Sequence, residues 1–99
     1  MIVDANILLY AVDSTSSQHA AAADWLVAAL RGDRRVGLPW QTIGAFLRVA
    51  THPRIAAAPL SAGVAQEYVD AWLDASPVWI PPAGEHTARV YSELARRHQ

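Results

Sequence analysis

Met1-Ile-Val-Asp4 opens the chain, and this stretch decides the fold that we expect. Three apolar residues that end in a carboxylate are typical of a short buried strand. The apolar residues 7–12 that follow predict a short helix directly after this strand. Asp4 would then lie at the carboxyl end of the first strand, where open α/β sheets place their ligands.

The rest of the chain alternates between strand and helix patterns. Strands are predicted at residues 35–39 and 77–80. Helices are predicted at residues 19–30, 40–51, 62–75 and 85–98. Ser61 is a candidate N-cap, Asp13-Ser-Thr-Ser-Ser17 offers further N-cap residues, and Gly32 stands where a glycine would end the first long helix. This order implies parallel strand pairing through crossover helices, and therefore an α/β fold with helices on both faces of the sheet.

Composition excludes several classes of protein. With 99 residues, of which 53% are hydrophobic, the chain forms one domain at most and can bury a core. The absence of cysteine excludes disulfides, thiolate zinc sites and cysteine nucleophiles. No window approaches 18 uncharged apolar residues, so we expect no membrane span. The net charge of −1 argues against tight nonspecific binding to nucleic acid. All eight basic residues are arginine, which suits phosphate contacts but equally fits a GC-rich genome.

Asp4 is the principal candidate for chemistry. A carboxylate at a strand end can hold Mg²⁺ or Mn²⁺ through one oxygen and leave the other positions to water and phosphate. Asn6 could bridge to metal-bound water or to the carboxylate. The alternative is that Asp4 only caps the following helix.

The four histidines lack metal-site spacing, and we expect them at the surface. Tyr68 and Trp72 favour the helix core over base stacking, and Trp40 favours packing, although residues 40–42 could present polar groups near Asp4.

Three segments resemble the PIN-domain family, specifically its VapC toxins. They are Met1-Ile-Val-Asp-Ala-Asn-Ile-Leu-Leu-Tyr10, Leu38-Pro-Trp-Gln-Thr-Ile-Gly-Ala-Phe-Leu-Arg-Val-Ala-Thr-His-Pro-Arg54 and Pro77-Val-Trp-Ile80 with its following helix. The resemblance implies a three-layer, parallel-sheet α/β domain with metal-dependent endoribonuclease activity that uses Mg²⁺ or Mn²⁺. It also implies a cytoplasmic toxin, usually a homodimer, that cleaves RNA and is neutralised by a cognate antitoxin.

The family's acidic residues carry over only in part. Asp4 matches the first metal-binding and catalytic acid, and Asn6 matches a supporting polar position. Ala45 occupies the place where many relatives have glutamate, and the later acids would follow Gln99. We therefore expect residues 1–99 to be a single PIN-like domain that lacks its C-terminal strands and acids, and to be inactive alone. The alternative function is an inactive or truncated module that binds an antitoxin or another protomer.

Two further expectations concern surfaces. The resemblance places the strand of residues 1–4 near the middle of the sheet. Without its second neighbour, Ile2 and Val3 would form an exposed apolar edge. Four tryptophans and alanine-rich helices exceed what so small a domain buries, and exposed apolar area of several hundred Å² usually marks a binding site. We expect a homodimer interface or an antitoxin groove on the helices of the first half.

Overall fold

A computed structural model describes residues 1–82. Its elements, in chain order, are α1 (Ala5–Val12), α2 (His19–Arg31), β1 (Val36–Gly37), α3 (Trp40–Ala50), α4 (Ala62–Asp74) and β2 (Val78–Trp79). The helix predicted at residues 85–98 lies outside the described residues. No helix within residues 1–82 is long and apolar enough to cross a bilayer.

The sheet is parallel, as the alternating pattern predicted. β1 pairs with β2 in the register Val36 to Val78 and Gly37 to Trp79. On its other side, β1 forms a parallel bridge between Gly37 and Ile2. Within residues 1–82, β1 is therefore the strand with a neighbour on each side. The central place expected for residues 1–4 and the three-layer arrangement stay predictions.

Backbone hydrogen bonds hold the opening segment against β1. The Val3 N–H donates to the Gly37 carbonyl at 3.0 Å, and the Gly37 N–H donates to the Met1 carbonyl at 2.6 Å. On the opposite side, the Leu38 N–H donates to the Trp79 carbonyl at 2.9 Å. Both sides of this short strand are thus satisfied, which a buried backbone requires.

The expected apolar edge is only half correct. Ile2 is 61% exposed, but Val3 is only 2% exposed and belongs to the main core. Successive side chains of an extended segment point to opposite faces, so one residue can enter the core while its neighbour meets solvent. The expectation of an exposed side chain is therefore confirmed for Ile2 and wrong for Val3.

Helices α3 and α4 supply the centre of the core. Helical spacing places Ile43, Phe46, Leu47 and Ala50 on one face of α3. Ile43, Phe46 and Ala50 are buried there, and Leu47 is partly buried. The Phe46 ring meets Trp72 of α4 edge-on, with centroids 4.9 Å apart. Such edge-to-face pairs add about 0.5–1.5 kcal/mol beyond the apolar area that they bury.

The buried face of α4 is rotated from the predicted one. Its buried residues are Ala65, Val69 and Trp72. The sequence predicts an i, i+4, i+8 stripe of Val64, Tyr68 and Trp72, flanked by Ala65, Val69 and Leu73. Within that stripe, Val64 and Tyr68 are 40% and 38% exposed. Trp72 is confirmed as a core residue, whereas Tyr68 lies at the border of the core and packs its ring 5.8 Å from that of Trp72.

The helix ends confirm two predicted caps and contradict a third. The Ser61 hydroxyl accepts a hydrogen bond from the Val64 N–H at 3.2 Å, as its position before α4 predicted. α2 ends at Gly32, as predicted, and this glycine is extended, with φ −82° and ψ 178°. The N-cap of α2 is Gln18, which makes no side-chain capping bond, so the cap expected within residues 13–17 was wrong.

Two glycine substitutions should change stability in opposite directions. A Cβ on Gly37 would lie 2.5 Å from Ile2 Cδ1, 3.1 Å from Pro81 Cγ and 3.3 Å from the Met1 carbonyl oxygen. Gly37→Val should therefore lower the free energy of unfolding by about 1–3 kcal/mol through overpacking. Gly44 of α3 has open space around its Cβ position, and Gly44→Ala should raise stability by about 0.5–1 kcal/mol. Urea unfolding of both variants measures this contrast, and equal effects would contradict it.

Candidate functional site

The carboxyl edge of the sheet brings Asp4 to the start of two helices. Continuing the register from the bridge between Ile2 and Gly37 places Asp4 beside Pro39. Asp4 is the N-cap of α1, and Pro39 is the N-cap of α3. Both helices therefore begin at this edge, where their N-terminal N–H groups favour negative charge.

The Asp4 carboxylate performs the capping role that was the alternative to metal binding. Its Oδ1 accepts a hydrogen bond from the Asn6 backbone N–H at 2.8 Å. The side chain is exposed, and Oδ2 accepts no hydrogen bond from any residue in the 1–82 range. The two roles are compatible, because one oxygen caps the helix while the other faces solvent.

Asn6 contributes its backbone rather than its side chain. The residue is exposed in the first turn of α1. Its amide group makes no hydrogen bond to Asp4 within the described part of the chain. Of the two roles considered for Asn6, the direct bridge to the carboxylate is therefore not formed, and contact through water stays a prediction.

Thr42 fixes the first turn of α3 onto the end of the opening segment. Its hydroxyl donates to the Val3 carbonyl oxygen at 3.1 Å. Val3 immediately precedes Asp4, so this bond sets the position of α3 relative to the candidate carboxylate. The sequence did point to polar groups near Asp4 within residues 40–42, but not to Thr42 as the tether. A hydroxyl in the first turn of a helix that follows a strand is the signal that could have identified it.

Trp40 occupies the same edge and does not pack as predicted. It is the first residue of α3, and 63% of its surface is exposed. The side chain therefore adds little to the core. Its exposure makes it part of the surface around Asp4.

The described residues form no cluster of metal-ligating side chains around Asp4. Ala45 is half-buried on α3, and residues 1–82 contain no group of three or more His, Asp or Glu side chains that could enclose a metal. Asp13, which matches no family position, accepts hydrogen bonds from the Thr15 hydroxyl at 2.6 Å and the Thr15 N–H at 3.0 Å. The hydroxyl bond, supported by the backbone bond, holds the pKa of Asp13 below its usual value.

Two histidines have local structural contacts, and both are half-buried rather than at the surface as expected. His19 Nδ1 lies 3.0 Å from the Tyr10 carbonyl oxygen and links α2 to α1. His52 Nδ1 accepts a hydrogen bond from the Arg54 N–H at 3.1 Å. His86 and His98 lie outside the described residues.

Sequence comparison relates the chain to ribonucleases named VapC. It is 44% identical to Ribonuclease VapC37 of Mycobacterium tuberculosis over 86 residues, which cover 86% of this chain and 60% of the relative. It is 40% identical to Ribonuclease VapC33 of the same species over 84 residues, covering 85% and 59%. VapC ribonuclease Mb2897 of Mycobacterium bovis is 32% identical over 95 residues, covering 96% and 65%. The chain thus spans about three fifths of the length of these curated relatives. No protein-family model matches it.

Substitutions at Asp4 should separate capping from charge. Asp4→Ala removes the acceptor for the Asn6 N–H and should cost about 0.5–2 kcal/mol. Asn is as good an N-cap as Asp, so Asp4→Asn should retain nearly all of the stability. Urea unfolding at neutral pH measures both variants. Equal losses would mean that the capping bond contributes nothing.

The tether from Thr42 gives a second stability prediction. Thr42→Val keeps the shape of the side chain but leaves the Val3 carbonyl without its donor. We expect a loss of about 1 kcal/mol in the free energy of unfolding. Thr42→Ser keeps the hydroxyl and is the matched control, which should lose less. A valine variant as stable as the native protein would show that the bond does not hold α3.

Proposed function

We propose that the chain belongs to the VapC family of PIN-domain toxins and that the full-length protein is a metal-dependent endoribonuclease that cleaves RNA phosphodiester bonds. The observation that carries this proposal is 44% identity to a VapC ribonuclease across 86% of the chain. The exposed Asp4 at the carboxyl edge of a parallel sheet supports it, because such edges are where α/β proteins bind ligands.

The donor at this edge suits a hard cation. Mg²⁺ and Mn²⁺ prefer oxygen ligands and use few carboxylates together with water and substrate phosphate. Asp4 Oδ2 offers one such oxygen, with Asn6 beside it for contact through water. Asp4 would bind the ion as the first of the acidic residues in the family pattern. Any further carboxylates would come from beyond residues 1–82.

The chain's own residues would position the RNA phosphate. When bound, the metal supplies charge stabilisation at the phosphodiester. The N-termini of α1 and α3 direct N–H groups towards the same edge, and Pro39 gives α3 no side-chain cap that would occupy them. Thr42 holds α3 in place through its bond to Val3. A phosphate at this edge would therefore meet both the helix ends and the ion held by Asp4.

The test is RNA cleavage by the full-length protein with Mg²⁺, with Mn²⁺ and with EDTA. Removing even supporting residues of metal sites costs about 10–100-fold, so Asp4→Asn should lower the cleavage rate by at least about 100-fold. EDTA should abolish cleavage. Asp24→Asn, an exposed acid on α2, is the matched control and should cleave at the native rate. Full cleavage by Asp4→Asn would refute the assignment, and no cleavage by the native protein would favour the inactive binding module.

We also propose that the protein acts in the cytoplasm with a cognate antitoxin as partner, and that it forms a homodimer. An apolar groove of about 190 Å³ lies between α1, α2 and α4. Its lining includes Val12, Leu26, Val27, Tyr68 and Trp72. Val27 and Tyr68 are 46% and 38% exposed, which suits the apolar face of an antitoxin helix.

A charge introduced into this groove should block the antitoxin. Val27→Asp should reduce copurification of the cognate antitoxin by at least about tenfold, because a desolvated charge opposes helix docking. Ile55→Asp is the matched control, since Ile55 is 63% exposed and lies outside the groove. Both variants should keep the native thermal midpoint to within a few degrees. Equal retention of antitoxin by both would place the partner elsewhere.

A further inference from the structure

Helix α3 exposes only three of its eleven residues, Trp40, Gly44 and Arg48. They stand at positions i, i+4 and i+8, so they share one side of the helix. The remaining residues are buried or half-buried. This exposed side, which we call the α3 stripe, begins at the edge that carries Asp4 and runs away from it for about 12 Å.

Trp40 lies next to the candidate catalytic edge. The Val3 N–H bonds to the Gly37 carbonyl at 3.0 Å, and the Thr42 hydroxyl bonds to the Val3 carbonyl at 3.1 Å. These two bonds fix the first turn of α3 beside the residue that precedes Asp4. The indole is 63% exposed, and Trp40 directly follows Pro39, the residue that the strand register places beside Asp4.

The chemistry of the stripe fits single-stranded RNA better than another protein helix. A helix that packs against another helix needs apolar residues at i, i+3, i+4 and i+7. The α3 stripe instead carries the aromatic ring of Trp40, a glycine without a side chain and the cation of Arg48. Apart from the backbone of α3 itself, no atom of residues 1–82 lies within 4 Å of the Cβ position of Gly44, so a chain can approach the helix closely there. A protein seam would have to desolvate Arg48, but an RNA strand offers phosphate to the guanidinium and a base to the indole.

We propose that Trp40 is a base-stacking residue that positions single-stranded RNA at the Asp4 edge, and that the strand continues along the α3 stripe to a phosphate contact at Arg48. This inference rests on the proposed ribonuclease function. Trp40 holds an unpaired base next to the scissile phosphate, and Arg48 binds the backbone farther along. The enzyme would thereby select unpaired RNA, because bases within a duplex cannot stack on the indole.

The experiment measures binding of the full-length protein to a short unstructured RNA by fluorescence anisotropy, with EDTA present to prevent cleavage. Trp40→Ala should weaken binding by about tenfold, and Trp40→Phe, which keeps an aromatic face, should recover most of the affinity. Trp25→Ala is the matched control, because Trp25 is 42% exposed on α2 and lies beside Met1 at the opposite edge. Binding to the same sequence as a perfect duplex should not depend on Trp40.

Arg48 provides an independent readout of the same path. Arg48→Ala should weaken binding and lower the slope of log affinity against log salt by about one, as expected for the loss of one phosphate contact. Trp40→Ala should leave that slope unchanged.

Several outcomes would overturn the inference. If the native protein cleaves RNA but Trp40→Ala binds it with native affinity, the stacking role is wrong while the proposed function stands. If Trp40→Ala instead changes the sedimentation coefficient and not RNA binding, the stripe is an interface between copies of the chain. If the native protein neither binds nor cleaves RNA, the inference and the proposed function fall together.

Discussion

The pairing of residues 1–3 with β1 is the contact on which the rest of the described structure depends. Two backbone hydrogen bonds, from Val3 to Gly37 and from Gly37 to Met1, set this pairing. They bury Val3, align the two strand ends and thereby fix where α1 and α3 begin. Gly37 suits this close approach, because a Cβ there would lie 3.1 Å from Pro81 Cγ and 3.3 Å from the Met1 carbonyl oxygen and would displace the end of the Ile2 side chain. Without this contact, Asp4 would have no defined position relative to α3.

The stability of the site therefore depends on a core that lies away from it. Phe46 is fully buried and packs against Trp72, so α3 is held along its length by α4. Thr42 then ties the first turn of the same helix to Val3. Packing fixes the orientation of the helix, and one hydrogen bond fixes its position along the strand. The exposed residues Trp40 and Asp4 are consequently presented by rigid elements, as precise ligand placement requires.

Most helices and strands of this chain can be predicted from its sequence, because each is marked by the residues within it and at its ends. Apolar residues at helical spacing located α3, including its buried Ile43 and Phe46, and Ser61 marked the start of α4. The errors arose where tertiary contacts decide the result. Val64 and Tyr68 fit an i, i+4, i+8 stripe with Trp72, but α4 buries Ala65 and Val69, which the pattern placed beside that stripe. Periodicity predicts that a helix has a buried side and only weakly predicts which one.

In the candidate site, too, local features could be predicted from the sequence and tertiary ones could not. Asp4 was a candidate because a carboxylate at the end of an apolar strand can serve as a helix cap or as a metal ligand, and its metal role stays a prediction. Its capping bond to the Asn6 N–H was weighed as an alternative and proved compatible with a ligand role. Trp40 was misjudged, because tryptophan usually packs and nothing local in the sequence reveals that α3 turns this residue outward. Exposure is a property of the assembled structure, so the sequence alone could not supply it.

Oδ1 of Asp4 caps α1, whereas Oδ2 accepts no hydrogen bond within residues 1–82, and this difference has a consequence for how the proposed ribonuclease activity could be lost. Asparagine would keep the oxygen that caps α1 and give up the charge that faces solvent. A single conservative replacement therefore separates the stability of the fold from the charge at its edge. The resulting protein would stay folded and keep the groove between α1, α2 and α4. If the proposed antitoxin binds in that groove, this variant would act as a decoy that occupies the antitoxin without the proposed ribonuclease activity.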